Sequence, residues 1–221
     1  MPGYQVKTET LAVGGLPTQV RSLLDRQQFA DPLGAALALG ISSASWPLFG
    51  LVWPSALVLA AHVAEMPLGA RGVLEVGCGL ALASLVVHRR GGTVTASDVH
   101  PLAEAFLIEN LRLNALAPLS YRHGDWAAAN PLLGRFDLIV GSDVLYERGQ
   151  PELLCAFIER HAEPTVEVVI VDPDRGNRAV FDRGMLGLGF ARQERRIRTL
   201  PGSTVPYKGL LLSYLRHAPI A

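Results

Sequence analysis

Through the middle of the chain, short continuous apolar runs alternate with stretches whose apolar residues recur every three or four positions, the alternation expected of an α/β sheet protein. Val73–Val76, Thr93–Asp98, Leu119–Arg122, Phe136–Gly141 and Val166–Val171 predict strands. The continuous runs among them suit strands buried on both faces of a parallel sheet. Helical spacing predicts helices over Pro54–Glu65, Leu80–Arg90, Pro101–Asn114, Pro151–His161 and Arg178–Leu188. Pro54 sits in a first helical turn, where its missing N–H costs nothing. Near the end, Gln193–Thr199 and Leu210–Arg216 read as strands joined by a Pro/Gly turn, so a mostly parallel, doubly wound seven-stranded sheet should finish in an antiparallel hairpin.

Residues 1–49 lack this alternation. Gln5–Val13 reads as a strand, Gly14-Gly15 as a turn, Thr18–Gln28 as a helix, and Asp31-Pro32 and Ile41–Pro47 as irregular chain. The segment is expected to be an appendage packed over the edge or mouth of the domain formed by 50–221, as lids often are.

Composition narrows the function. With 221 residues and 49% hydrophobic content the chain can bury one sizeable core. Twenty Lys plus Arg balance 20 Asp plus Glu, which removes a general electrostatic pull towards nucleic acid or anionic membranes. The longest apolar candidate, Leu48–Ala64, is too short to span a bilayer and is interrupted by Pro54, Ser55 and His62. Met1–Thr8 has neither the basic start nor the apolar core of a signal peptide. Cys78 and Cys155 have no metal-ligand or disulfide spacing, and a cytoplasmic location is expected.

The chemistry gathers at strand ends. Leu74-Glu75-Val76-Gly77-Cys78-Gly79 is a strand breaking at two glycines before a helix, so backbone can approach a ligand closely and the helix N-terminus points at it. Glu75 would repel a pyrophosphate and favours a cationic or zwitterionic ligand. About twenty residues on, Asp98 ends the next strand at the spacing for accepting ribose hydroxyls. Asp125 and Trp126 follow the third strand, and Ser142, Asp143 and Tyr146 follow the fourth. Ligands of such sheets bind outside the carboxyl ends of the strands, so these groups should converge.

The set Leu51-Val52-Trp53-Pro54-Ser55, Leu74–Gly79, Gly124-Asp125-Trp126 and Asp143-Val144-Leu145-Tyr146 resembles the Rossmann-like class I, seven-strand S-adenosylmethionine-dependent methyltransferases, in the branch holding many protein-lysine methyltransferases. The resemblance covers roughly Gly50 to Arg216. It implies that Glu75, Gly77 and Gly79 hold the amino-acid end of S-adenosylmethionine and Asp98 its ribose. Asp125, Trp126 and Trp53 would flank the adenine, with Ser142 nearby through its backbone. Cys78, in the same turn, counts among the implied cofactor-binding residues, as a small space-filler rather than a nucleophile. Ala81 stands where relatives often have a third glycine, a departure a helix start should tolerate. Asp143 and Tyr146 would orient the acceptor, with no metal required, and Val171–Asn177, including Arg175, should border the acceptor pocket. The implied acceptor is a lysine in a protein. A small-molecule N-methyltransferase and a non-catalytic S-adenosylmethionine-binding module remain open. Nucleic acid is disfavoured because the strand end reads Gly141-Ser142-Asp143-Val144 rather than an Asn-Pro-Pro-Tyr type motif.

Overall fold

The computed structural model describes residues 3–218. It opens with an antiparallel hairpin of β1 (Val6–Val13) and β2 (Leu16–Leu23), which corrects the helix expected over Thr18–Gln28. The reason is local: Gly14 and Gly15 both take positive φ, 60° and 81°, the two-residue turn whose twist matches paired strands. Thr18, Val20 and Ser22 are then buried while Gln19 is exposed, a period of two.

Next come α1 (Ala35–Ala38), a 3-10 turn at Trp46–Gly50, α2 (Pro54–Glu65), β3 (Gly72–Val76), α3 (Leu82–Arg89), β4 (Thr93–Asp98), α4 (Ala103–Leu113) and β5 (Ser120–His123). They are followed by β6 (Phe136–Ser142), α5 (Gln150–His161), β7 (Ala162–Asp172), α6 (Arg178–Gly187), β8 (Ala191–Thr199) and β9 (Pro206–Arg216). The seven-stranded sheet runs β5-β4-β3-β6-β7-β9-β8. Pairings from β5 to β7 are parallel, and β9 pairs antiparallel with both β7 and β8.

Alternate residues of the central strands feed two cores. Val73, Leu138, Val140 and Val169 pack on the side of α2, α3 and α4. Leu74, Ile139, Val168 and Ile170 pack on the side of α5 and α6. This double burial explains the predominantly apolar runs. Sequence order reverses between β3 and β6, the switch point at which such sheets open a crevice.

The N-terminal segment is stitched to this body. Asn110 and Asn114, one helical turn apart on α4, act as a surrogate strand: Arg21 and Gln19 N–H donate to their Oδ1 atoms at 2.7 and 2.9 Å, and the Asn amides donate back to Arg21 and Gln19 carbonyls. Trp46, 1% exposed, centres an aromatic cluster with Tyr4, Phe29, Phe49 and His100. Val13, Val20, Leu23 and Trp46 share the core that holds α2 and α3.

Candidate active site

A cleft of about 440 Å³ opens at the switch point. Its floor is the turn after β3, where Gly77 and Gly79 have φ of 55° and 51°. A Cβ at Gly79 would stand 2.7 Å from the Phe49 carbonyl oxygen, and one at Gly77 would stand 2.9 Å from Val144 Cγ1 and 3.5 Å from the Trp126 ring. Both positions therefore require glycine for conformation and for space. Ala81, the N-cap of α3, also takes left-handed φ, 56°, so the alanine is accommodated in a conformation that glycine adopts without strain.

Asp98, at the end of β4, clamps this turn. Its Oδ2 accepts the Gly79 N–H and its Oδ1 the His100 N–H, both at 2.8 Å. Burial raises its pKa against the opposing pull of these N–H groups. Each oxygen keeps a further lone pair for a hydroxyl in the cleft. His100 stacks on Phe49 with ring centroids 3.7 Å apart. Burial lowers the imidazole pKa to about 4, so the ring is neutral at ordinary pH.

Trp53, Gly77, Cys78, Gly79, Asp98, Asp125, Trp126, Ser142, Asp143 and Tyr146 all line this one cleft. The indole N–H of Trp53 donates to the Leu48 carbonyl at 2.8 Å, which holds the ring against the 3-10 turn. Asp125 also serves its own turn, its Oδ1 accepting the Ala127 N–H at 2.8 Å. The Trp126 carbonyl accepts from Arg160 at 2.7 Å. The Cys78 thiol is pushed well up by burial and by Asp98, which removes it as a nucleophile.

Glu75 departs from its expected place. It is 2% exposed and turned beneath the glycine turn, where Oε2 accepts the Ser84 N–H of α3 at 2.6 Å. Burial pushes its pKa up to about 7. It braces the start of α3 and is not among the residues that line the cleft. Its position on β3 directs its side chain to the α3 side of the sheet, with Val73.

At the other end of the cleft, Asp143 takes φ of 54° and its N–H donates to the Val171 carbonyl at 2.8 Å. It is not a helix cap, because α5 begins after Gly149. Both its carboxylate oxygens are held by Arg175, Nε to Oδ1 at 2.7 Å and Nη2 to Oδ2 at 3.1 Å. Arg175 lines the cleft from the loop after β7. Tyr146 is 40% exposed, and burial of its phenol raises the pKa to about 12, so it stays protonated.

Phe49, His100, Leu39, Ile41 and Arg26 also line the cleft without having been singled out by sequence. Leu39, Ile41, Phe49 and His100 lie in turns and irregular chain, and Arg26 follows β2 in the stretch expected to be helical, although the cluster Trp46-Pro47-Leu48-Phe49 beside the Trp53-Pro54 segment is a readable apolar signal. Among the described residues no group of His, Cys, Asp and Glu is arranged to hold a metal ion, and no helix is long and apolar enough to cross a membrane.

The cleft fits a nucleoside bearing a small zwitterion: close backbone approach at two glycines, a carboxylate at one wall and aromatic faces at the others. A family model described as lysine methyltransferase matches residues 47–180. The electron transfer flavoprotein beta subunit lysine methyltransferase of Xenopus laevis is 33% identical over 138 residues, which cover 58% of this chain and 53% of that protein. Protein N-lysine methyltransferase METTL21A of Xenopus tropicalis is 31% identical over 131 residues, covering 55% of this chain and 60% of that one. The chain thus spans little more than half the length of these curated relatives. In fold it is similar to magnesium protoporphyrin IX methyltransferase from Synechocystis PCC 6803, solved with bound SAM, with a TM-score of 0.56 at 20% identity over 72% of this chain and 76% of that one.

Proposed function

Since the chain belongs to the lysine methyltransferase family, we propose that it transfers a methyl group from S-adenosylmethionine to a lysine side chain of a partner protein. The observation that carries this reading is a single cleft that joins the Asp98-clamped glycine turn at one end to Asp143 and Tyr146 at the other. Gly77 and Gly79 would let the backbone reach the amino-acid end of S-adenosylmethionine, Asp98 would accept the ribose hydroxyls, and Trp53, Trp126 and the Phe49–His100 stack would wall the adenine. Bound there, S-adenosylmethionine would supply an electrophilic methyl group.

The protein's contribution is then mainly positioning. An acceptor lysine has an ordinary pKa near 10.4 and must shed a proton before its nitrogen can attack. Asp143 offers a carboxylate to orient that nitrogen while it is still an ammonium. The Tyr146 ring and its protonated hydroxyl offer a half-dry wall beside it. A cytoplasmic location belongs to the same proposal, supported by two buried, unpaired cysteines suited to a reducing compartment.

The test is incubation of the pure protein and a cell lysate with methyl-labelled S-adenosylmethionine, followed by hydrolysis of the protein fraction. Label in methyl-lysine is the expected result. Label confined to small molecules or to other residues would refute the acceptor assignment, and no label anywhere would refute the activity.

A further inference from the structure

The carboxylate best placed to receive a cationic acceptor is already in use. Arg175 takes both oxygens of Asp143 in a fork, at 2.7 and 3.1 Å, so an incoming ammonium finds no free acceptor there. The two partners are unequally exposed, the Asp143 side chain at 9% and the Arg175 side chain at 40%. The arginine can therefore be released into water at little cost, whereas the carboxylate cannot be left bare without a cation. A second acid nearby makes this stricter. Asp172, 0% exposed, repels Asp143 electrostatically, and its Oδ2 has no hydrogen-bond partner among the described residues.

The main chain of Arg175 is anchored independently of its side chain. Its N–H donates to Asp172 Oδ1 at 2.7 Å, and its carbonyl accepts the Arg178 N–H at 3.3 Å. Asp174 just before it takes φ of 64°, part of the same tight turn. The side chain can leave Asp143 while the loop stays. The other cation lining the cleft, Arg26, lies over the Trp53 ring at 5.2 Å.

We propose that Arg175 is a built-in stand-in for the acceptor's cationic nitrogen, holding the Asp143 carboxylate until a substrate ammonium displaces it. The proposal rests on the reading of this site as an amine methyltransferase. Such an exchange selects for acceptors that bring a positive charge. A neutral acceptor would have to strip the arginine away and replace it with nothing.

The test uses n-butylammonium chloride as the probe, with n-butanol as its neutral counterpart. In ¹⁵N spectra of arginine Nε–H groups, the Arg175 signal should move to a solvent-exposed position as n-butylammonium is added and stay put with n-butanol. If the fork masks Asp143 in about nine molecules of ten, removing it should tighten n-butylammonium binding about tenfold in Arg175→Ala. Adding Asp143→Asn to that variant should abolish the gain. Arg26→Ala, which removes the same charge elsewhere in the cleft, should change the affinity less than about twofold. Unchanged or weaker binding in Arg175→Ala, or an equal gain in Arg26→Ala, would overturn the proposal. Thermal melts establish that each variant is folded, and Arg175→Gln gives the same comparison should the alanine variant fail. Calorimetry with S-adenosylhomocysteine tests the parent reading separately: no binding sinks the methyltransferase assignment, whereas binding without unmasking sinks only the stand-in.

Discussion

Replacing Asp98 by asparagine tests whether one carboxylate both shapes the turn and holds the ligand. In the structure its two oxygens accept the N–H groups of Gly79 and His100, each at 2.8 Å, from a residue only 8% exposed. Asparagine keeps one acceptor and turns an NH₂ towards the other donor. Losing one charge-assisted bond at a buried site should cost the fold about 1.5–3 kcal/mol. A ribose hydroxyl that loses the carboxylate forfeits a comparable amount, about one to two powers of ten in affinity. Calorimetry should use both S-adenosylmethionine and S-adenosylhomocysteine, at a temperature where a melt shows the variant folded. The two ligands share the ribose and differ by the sulfonium charge. Equal weakening of both places Asp98 at the ribose, and weakening of S-adenosylmethionine alone would mean that it acts only through long-range attraction. Affinities of both within about twofold of wild type would refute its place in the site.

Three further outcomes are expected. Gly79→Ala combines a left-handed φ of 51° with a Cβ placed 2.7 Å from the Phe49 carbonyl oxygen, so a loss of about 2–4 kcal/mol should appear as a drop of roughly 4–16 °C in Tm; an unshifted melt would contradict the close approach. Asp143→Asn tolerates the left-handed backbone but loses the charge, and single-turnover methyl transfer should fall by about one power of ten or more, 1.4 kcal/mol for each, with Tyr146→Phe milder because the ring remains. An undiminished rate in Asp143→Asn would remove it from catalysis. The Glu75 carboxyl is raised in the fold to about 7 from an ordinary 4.5, so its contribution to stability is fully present below about 4.5 and is lost as pH rises through about 7. The Tm of wild type minus that of Glu75→Gln should therefore decline between pH 4.5 and 7 and level off above. A difference that rises with pH would reverse the assigned burial. His100, lowered to about 4, acts in the opposite direction in both proteins and cancels in the comparison.

The sheet and most of the rim were legible from local pattern alone. Strands buried on both faces carry few polar positions, so Phe136–Gly141 and Val166–Val171, each interrupted by a single acid, Asp137 and Glu167, were readable without any knowledge of their neighbours. Once the strands are known, the parallel order carries Gly77, Asp98, Asp125 and Asp143 to one edge. The hairpin at Gly14-Gly15 was also legible, since the two glycines are a turn signal and Thr18, Val20 and Ser22 repeat with period two. The helix expected over Thr18–Gln28 hid its second strand. Tertiary structure decided the rest, because the deciding contacts join residues remote in sequence. Glu75 is pulled beneath its own turn by the Ser84 N–H, which becomes its partner only once α3 packs against β3. Phe49 meets Gly79 and His100, both remote from it in sequence, in a segment held on the body through Asn110 and Asn114. Arg175 finds Asp143 across 32 residues, because β6 and β7 lie side by side and their loops emerge at the same edge. Local pattern specifies which faces must be buried, but a side chain's partner depends on which elements become neighbours, and only the packed chain sets that.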